Sequence, residues 1–377
     1  MQKKNIAVVG LGFGESFVPI YRDHPDVGEV GIFDSSREVC RRTAEKYGIS
    51  RVYGSFEEIL ADSSLDAVHL ITPIPLHADQ TVAVLESGKH CACTVPMATT
   101  LEDIRRITET VRRTGLHYMM METTLYTYHF LHVRKMYENG ELGRIQFLRG
   151  SHYQDMANWP EYWNGLPPMW YGTHAIAPMV ALSGSRICRV HCVGSGVMEE
   201  ALTKQYENPF PIESALFEFE NGLKGEATRS LFATARAYQE GMFVYGSRAS
   251  FEWGFEDGDD PYITCAQPPR EGERGGRTQV SRISVPNDYH TLPESIRKYT
   301  IRESDFDPLN PQKSLETGGG SGHHGSHPHL VHEFIRSLVE DRRPAIDETL
   351  GGNITAAGIC AHESAMQNGA AVDVPVF

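Results

Sequence analysis

The chain has 377 residues, with 35 basic against 49 acidic side chains and a formal net charge of −14. The length exceeds one ordinary core, so two domains are expected, and the negative charge repels phosphate backbones and argues against nucleic acid as a partner. No apolar run approaches the ~18 residues of a membrane span, residues 6–9 are too short for a secretory core, and seven cysteines without a CxxC pair suit a reducing compartment, so a cytoplasmic protein with no membrane partner is expected.

Residues 5–122 alternate strand and helix. The spacing predicts a short apolar strand over 5–9, a helix over 15–23, a strand over 29–33 and a helix over 36–47 that closes at Gly48. Residues 66–71 are apolar and β-prone, and 76–86 are helical up to Ser87-Gly88. A strand over 90–94, a helix over 101–114 between Thr100 and Gly115, and a strand over 117–121 follow. Strands separated by helices of this length mean βαβ units, a parallel sheet and a doubly wound Rossmann domain.

The character changes after about residue 123. A helix is expected over 125–138, a strand over 144–153 and a helix over 171–182. Ala215, Phe217 and Phe219 alternate with Leu216, Glu218 and Glu220, the period of a half-buried strand, and Asn221-Gly222 turns it back into 223–232. Residues 242–245 and 249–253 flank Gly246-Ser247-Arg248 as a second hairpin, so the second half reads as an α+β domain on an antiparallel sheet. Residues 256–329 are rich in Pro, Gly and charge and suggest a functional loop or an oligomer arm. Helices over 330–340 and near 351–367 close the chain. The expected domains are 1–123 and 124–377.

Val9-Gly10-Leu11-Gly12-Phe13-Gly14-Glu15 lies between the first strand and the first helix. Gly10 permits a tight turn, Gly12 lets a pyrophosphate approach the backbone, and the helix N-terminus offers free N–H groups. The cluster departs from GxGxxG, because Gly14 is one place early and Glu15 holds the third position. Asp34 ends the second strand, where a carboxylate accepts from adenosine ribose hydroxyls and favours NAD over NADP. Ser35 and Arg37 can instead hold a 2′-phosphate, and a helix N-cap explains Asp34 as well.

At Thr72-Pro73-Ile74-Pro75-Leu76-His77-Ala78 and Gly88-Lys89-His90 the sequence resembles the glucose–fructose oxidoreductase, inositol dehydrogenase and rhizopine catabolism (Gfo/Idh/MocA) superfamily. The resemblance implies a second domain with a large open, mainly antiparallel sheet, and hydride transfer between NAD(P) and a sugar or polyol carbon. It adds Thr72, Pro73, His77 and Pro96 to the expected cofactor contacts. Two positions depart from the family. Val95 in Thr94-Val95-Pro96 replaces its usual lysine, and Ala177 stands where its sugar dehydrogenases carry an acid.

Both departures, with Met121-Glu122, Tyr126 and Tyr171-Gly172-Thr173-His174, resemble the branch of NAD-dependent redox glycosidases related to α-N-acetylgalactosaminidase. That resemblance implies Tyr171, His174 and Tyr126 as catalytic groups and Glu122 as a cofactor contact. On a helix over 171–182, Tyr171 and His174 would share one face. Histidine titrates near neutrality and can take or give a proton. A core histidine beside a packing tyrosine is the plainer alternative. In a redox glycosidase, oxidation at C3 acidifies the C2 proton, the aglycone leaves by elimination, water adds and the hydride returns. No carboxylate pair at glycosidase separation is then needed.

Trp163 and Trp170 lie in an aromatic segment suited either to stacking on a sugar or to an interdomain or oligomer contact. The run from Gly318 to His329 carries four histidines, His323, His324, His327 and His329. It reads first as a sugar-pocket loop with His327 as the contact, then as a surface loop, and last as a metal site, so no metal ligand is assigned. The function expected is an NAD-dependent oxidoreductase acting on a sugar or glycoside, as a homodimer or homotetramer. A net NADP-linked sugar dehydrogenase or reductase and a non-catalytic dinucleotide sensor are the alternatives, the last kept open by Val95.

Overall fold

A computed structural model describes residues 3–256, 258–272 and 274–377. The chain divides into two compact units. One comprises the residues up to Tyr126 with Asn287–Gly352 and Phe377, and the other comprises Thr127–Pro286 with Asn353–Val376.

The first unit holds β1 (Lys4–Val9), β2 (Val27–Phe33), β3 (Arg51–Val52), β4 (Ala67–Leu70), β5 (His90–Cys93) and β6 (Tyr118–Met120). All pairings are parallel, in the order β3-β2-β1-β4-β5-β6. The strand order reverses between β1 and β4, the switch point at which such sheets bind ligands. Ile6, Ala7, Val8 and Val9 are all buried, as expected of a central strand covered on both faces. Around the sheet run α1 (Val18–Asp23), α2 (Arg37–Tyr47), α3 (Phe56–Ala61), α4 (His77–Glu86) and α5 (Leu101–Thr114).

Local chemistry explains where these helices stop. Ser36 Oγ accepts from Val39 N–H, and Thr100 Oγ1 accepts from Asp103 N–H. Gly48 and Gly115 close the same two helices in left-handed conformation. The short β3 and α3 were not expected from the sequence pattern. Residues 287–352, expected in the second domain, pack with the first unit. The helix His327–Glu340 lies against α1 and β1 and buries Leu330, Val331, Phe334, Ile335 and Leu338. That stripe follows the helical period and needs an apolar partner.

The second unit is built on β7 (Ile145–Tyr153), β8 (Ile187–Ser195), β9 (Ile212–Phe219), β10 (Lys224–Ser230), β11 (Gln239–Gly246), β12 (Ala249–Glu252), β13 (Tyr262–Gln267), β14 (Arg277–Arg282) and β15 (Val372–Asp373). Their order is β14-β13-β12-β11-β7-β10-β9-β8-β15. Neighbours are antiparallel except β7 and β10, which run parallel. The stretch read as an irregular loop thus supplies the edge hairpin β13–β14.

The helix α6 (Tyr128–Glu138) opens this unit, and α7 (Thr173–Ser183) packs on β7, β10 and β11. Gly150 on β7 makes that contact possible, because a Cβ there would overlap the Ala175 carbonyl. Among the described residues no helix is long and apolar enough to cross a membrane.

Candidate active site

The glycine turn is shaped for a dinucleotide. Gly10 adopts φ +88°, and any side chain there would overlap the Ile71 carbonyl. A Cβ on Gly12 would meet nothing within 4 Å, so the backbone is open to a phosphate. Gly14 begins the 3-10 turn Gly14–Phe17 that leads into α1. Glu15 turns away from the phosphate path. Lys46 Nζ donates to it at 2.7 Å and Arg42 at 3.4 Å, and these cations hold its carboxyl below the usual range.

Asp34 ties the turn to the end of β2. Its Oδ2 accepts from Leu11 N–H at 2.7 Å, and its Oδ1 accepts from Ser36 N–H at 2.8 Å. The helix cap itself is Ser36, so the cap alternative for Asp34 is replaced by this bracing role. Asp34, Ser35 and Arg37 line a cleft with Arg41, Tyr53 and Gly54. A turn open to phosphate beside a carboxylate-lined cleft fits the adenosine half of NAD.

The motif residues mostly brace this loop system. His77 is buried, with Nδ1 2.8 Å from the Pro96 carbonyl and Nε2 2.9 Å from the Thr72 carbonyl, so it links the two segments. Thr72 Oγ1 donates to Gln80 at 2.6 Å, and Pro73 precedes the 3-10 turn Ile74–Leu76. The Val95–Pro96 peptide is cis. Glu122 is buried, and its Oε1 accepts from both the backbone and the hydroxyl of Thr124. It thereby shapes the turn Thr123–Tyr126.

His327, expected as a sugar contact, packs onto the nucleotide turn. It stacks on Phe17 at 4.3 Å, meets Phe13 edge-on at 5.3 Å, and lies 3.4 Å from Ser16 Oγ. The Ser326–His327 end of its helix is packed onto the nucleotide turn of its own unit, which buries the ring. Phe13 is half exposed over the same cluster, with His323 edge-on at 5.9 Å. Tyr126, also in the first unit, lies nearly parallel to His329.

In the second unit, four ionisable residues form one row across adjacent strands. Glu240 on β11 pairs with His152 on β7, His152 pairs with Arg229 on β10, and Arg229 pairs with Glu213 on β9. Directly paired residues share a sheet face, and each of the four is at most 1% exposed. Buried charge is costly unless paired, so such a row marks a candidate functional site. Sequence reasoning missed all four. A signal existed: His152 is in phase with buried Leu148 and Gly150, Arg229 with Gly225 and Ala227, and Glu240 with Met242 and Val244. Each is an ionisable group at a core-facing position.

The row fixes the segment that carries Tyr171. Glu213 Oε2 accepts from Met169 N–H at 2.8 Å, and Arg229 Nε donates to the Tyr171 carbonyl at 3.0 Å. Tyr171 ends the 3-10 turn Pro168–Tyr171, and α7 starts only at Thr173. Tyr171 and His174 therefore do not share a helical face, contrary to the expectation from their spacing. They meet nonetheless, with rings edge-on at 5.4 Å. His174 Nε2 stands 4.0 Å from Glu240 Oε1, and the His152 ring lies 5.0 Å from the His174 ring.

Tyr238 donates to Glu240 Oε1 at 2.7 Å. Burial, and then the Glu240 charge, push its hydroxyl well above the usual range, which keeps it a donor. Arg229 lies 5.4 Å from the Tyr171 ring, and burial pulls its guanidinium down to about 10, so it remains a cation at neutral pH. Trp163 is buried edge-on to Tyr171 at 4.8 Å, whereas Trp170 faces Tyr206 and His362.

A Rossmann sheet with an open glycine turn, carried on one chain with a second sheet bearing buried ionisable groups, fits a dinucleotide-dependent oxidoreductase. The chain belongs to the Gfo/Idh/MocA family. The profile described as an oxidoreductase family with an NAD-binding Rossmann fold matches residues 4–122, and that of the GFO/IDH/MocA C-terminal domain matches residues 130–252. Its cofactor is NAD.

A glycosyl hydrolase family 109 protein of Saccharopolyspora erythraea is 22% identical over 99% of this chain and 83% of its own length. A levoglucosan dehydrogenase of Pseudarthrobacter phenanthrenivorans is 28% identical over 41% of this chain and 42% of that protein. A levoglucosan dehydrogenase solved with NADH and levoglucosan superposes with a TM-score of 0.78 at 22% identity, covering 99% of this chain and 100% of the other.

Proposed function

We propose that the protein oxidises a carbinol carbon, C3, of a sugar or glycoside, and that it completes a redox-neutral glycoside cleavage when an aglycone is present. The observation that carries this reading is the convergence of Tyr171, His174 and Glu240 on one buried sheet face of an NAD-binding oxidoreductase. The glycoside half is supported by the similarity to a family 109 glycosyl hydrolase along nearly the whole chain.

When bound, NAD supplies the hydride acceptor and later the hydride donor. Tyr171 takes the carbinol proton, with the Arg229 cation over its ring stabilising negative charge on the phenol oxygen. His174 handles the second proton, the one on the carbon next to the ketone, and the Glu240 carboxylate stands 4.0 Å from its Nε2. Val95 leaves no lysine for either task, so both protons fall to the second unit's groups.

Levoglucosan dehydrogenase relatives favour a second reading in which the reaction stops at the ketone. A panel of sugars and aryl glycosides, incubated with and without NAD, separates the two. Aglycone release that requires NAD without accumulation of NADH supports cleavage, and accumulating NADH supports the dehydrogenase. Silence across the panel by protein that binds NADH would overturn both.

A further inference from the structure

We propose that His152, His174 and Glu240 form a binding site for one divalent transition-metal ion, of the zinc, manganese or cobalt class. The three residues come from β7, α7 and β11, and one ligand atom from each lies within 4.8 Å of the others. The convergence is built into the fold. The register of β7 and β11 sets His152 opposite Glu240. Gly150, two residues before His152 on the same face, lets α7 approach closely enough to bring His174 over that pair.

The spacing suits an ion better than a direct bond. The 4.0 Å between His174 Nε2 and Glu240 Oε1 is too long for a hydrogen bond. Ligand atoms on a tetrahedral ion with bonds of ~2.1 Å sit roughly 3.4 Å apart, so loading requires the side chains to close by about 1 Å. Two imidazoles and one carboxylate are a donor set for such ions and leave positions open for a substrate oxygen. The Tyr238 hydroxyl, donating to Glu240 Oε1, orients the carboxylate as outer partners of metal ligands do. Arg229 opposes a cation on this face, but its guanidinium is engaged by the carbonyls of Tyr171, His152 and Ser230 and by Gln154 Oε1.

This placement departs from the sequence expectation, which assigned no metal and considered one only for the histidines of residues 323–329. Among the described residues, the group with metal-ligand spacing is the one on the second sheet. The site stands on its own geometry. Its use rests on the proposed function and changes one role in it: an ion there would polarise the sugar oxygen, a task for which this chain has no lysine at position 95, and with His174 bound to the ion an ion-bound water would take the second proton in its place.

The full-length protein, purified without chelator, should contain close to one transition-metal ion per chain by elemental mass spectrometry. After stripping with dipicolinate, titration with Co²⁺ alone should produce visible bands of a nitrogen-containing low-coordinate site. Glu240→Gln and His152→Asn should weaken Co²⁺ binding by roughly tenfold or more, with a cooperative urea transition and a near-ultraviolet circular dichroism spectrum like wild type as the check that each variant is folded.

Wild-type protein that binds NADH but takes up neither resident metal nor Co²⁺ overturns the proposal, even if both variants fail to fold. Folded variants that bind Co²⁺ as tightly as wild type overturn it too. Metal-loaded protein inactive on every sugar would keep this site and remove the proposed function. Metal-free protein active on sugars at the wild-type rate would keep the proposed function and remove the ion's use in it.

Discussion

Tyr171 is held by its backbone and His174 by its place on α7, and this difference separates binding from chemistry at single residues. The Tyr171 carbonyl accepts from Arg229, and Trp163 packs against its ring, so removing the hydroxyl leaves the support intact. Tyr171→Phe should therefore lower kcat by roughly 100-fold or more with little change in KM. NADH affinity should be unchanged in the same protein, because the nucleotide turn belongs to the other unit. Steady-state kinetics with an NADH titration check this; a kcat within a few-fold of wild type would remove Tyr171 from the proton path. His327 illustrates the converse. Its ring packs on Phe17 and Phe13, so it buttresses the nucleotide turn.

Elements stop where local chemistry stops them and meet where distant pairing brings them together, and only the first of these is legible in a sequence. The caps Thr100 and Gly115 bound α5 at the residues read from the sequence, because a side-chain oxygen and a left-handed glycine act within one turn. The Rossmann half was legible for the same reason: its helices and apolar strands alternate locally. The row Glu240–His152–Arg229–Glu213 depends on register among strands up to 88 residues apart, as the Ser151–Gln239 contact in the same pairing illustrates. No local pattern fixes that register. Tyr171 was misplaced onto a helix because Pro167 and Pro168 and the following Gly172 divert the chain into a 3-10 turn first.

Gly150 is where element packing and site geometry are the same fact. Gly150→Ala forces α7 off β7, and overpacking of this kind costs about 1–3 kcal/mol. Urea unfolding should show the loss of stability. Turnover should fall with it, since His174 rides on α7 above His152. Unchanged stability and turnover would mean that the helix does not need this close approach.

At the scale of the whole molecule, buried neutral histidines set the acid limit of stability. Burial pulls His24 and His90 down to about 4 and His69 to about 3. The unfolded chain binds these protons near pH 6.5 and the folded chain does not. Their contribution is therefore complete above that value and is lost as pH falls toward 4. Asp23 and Asp62, held at about 2, add a further loss only below the ordinary aspartate range. The urea midpoint should accordingly be lower at pH 5 than at pH 7.5, while equal midpoints would mean that these rings open to solvent before the fold is lost.

The account stands on hydride passing between a sugar carbon and the nicotinamide held by the first unit. A sugar substrate carrying deuterium at its carbinol carbon, incubated with the protein and NAD, tests this most directly through mass analysis of the nicotinamide ring. In a reaction quenched within its first turnover the account predicts deuterium in the reduced ring, and in the finished redox-neutral reaction the label is back on the sugar carbon. Conversion of the labelled sugar with no deuterium in the nicotinamide at any time of quenching would contradict it.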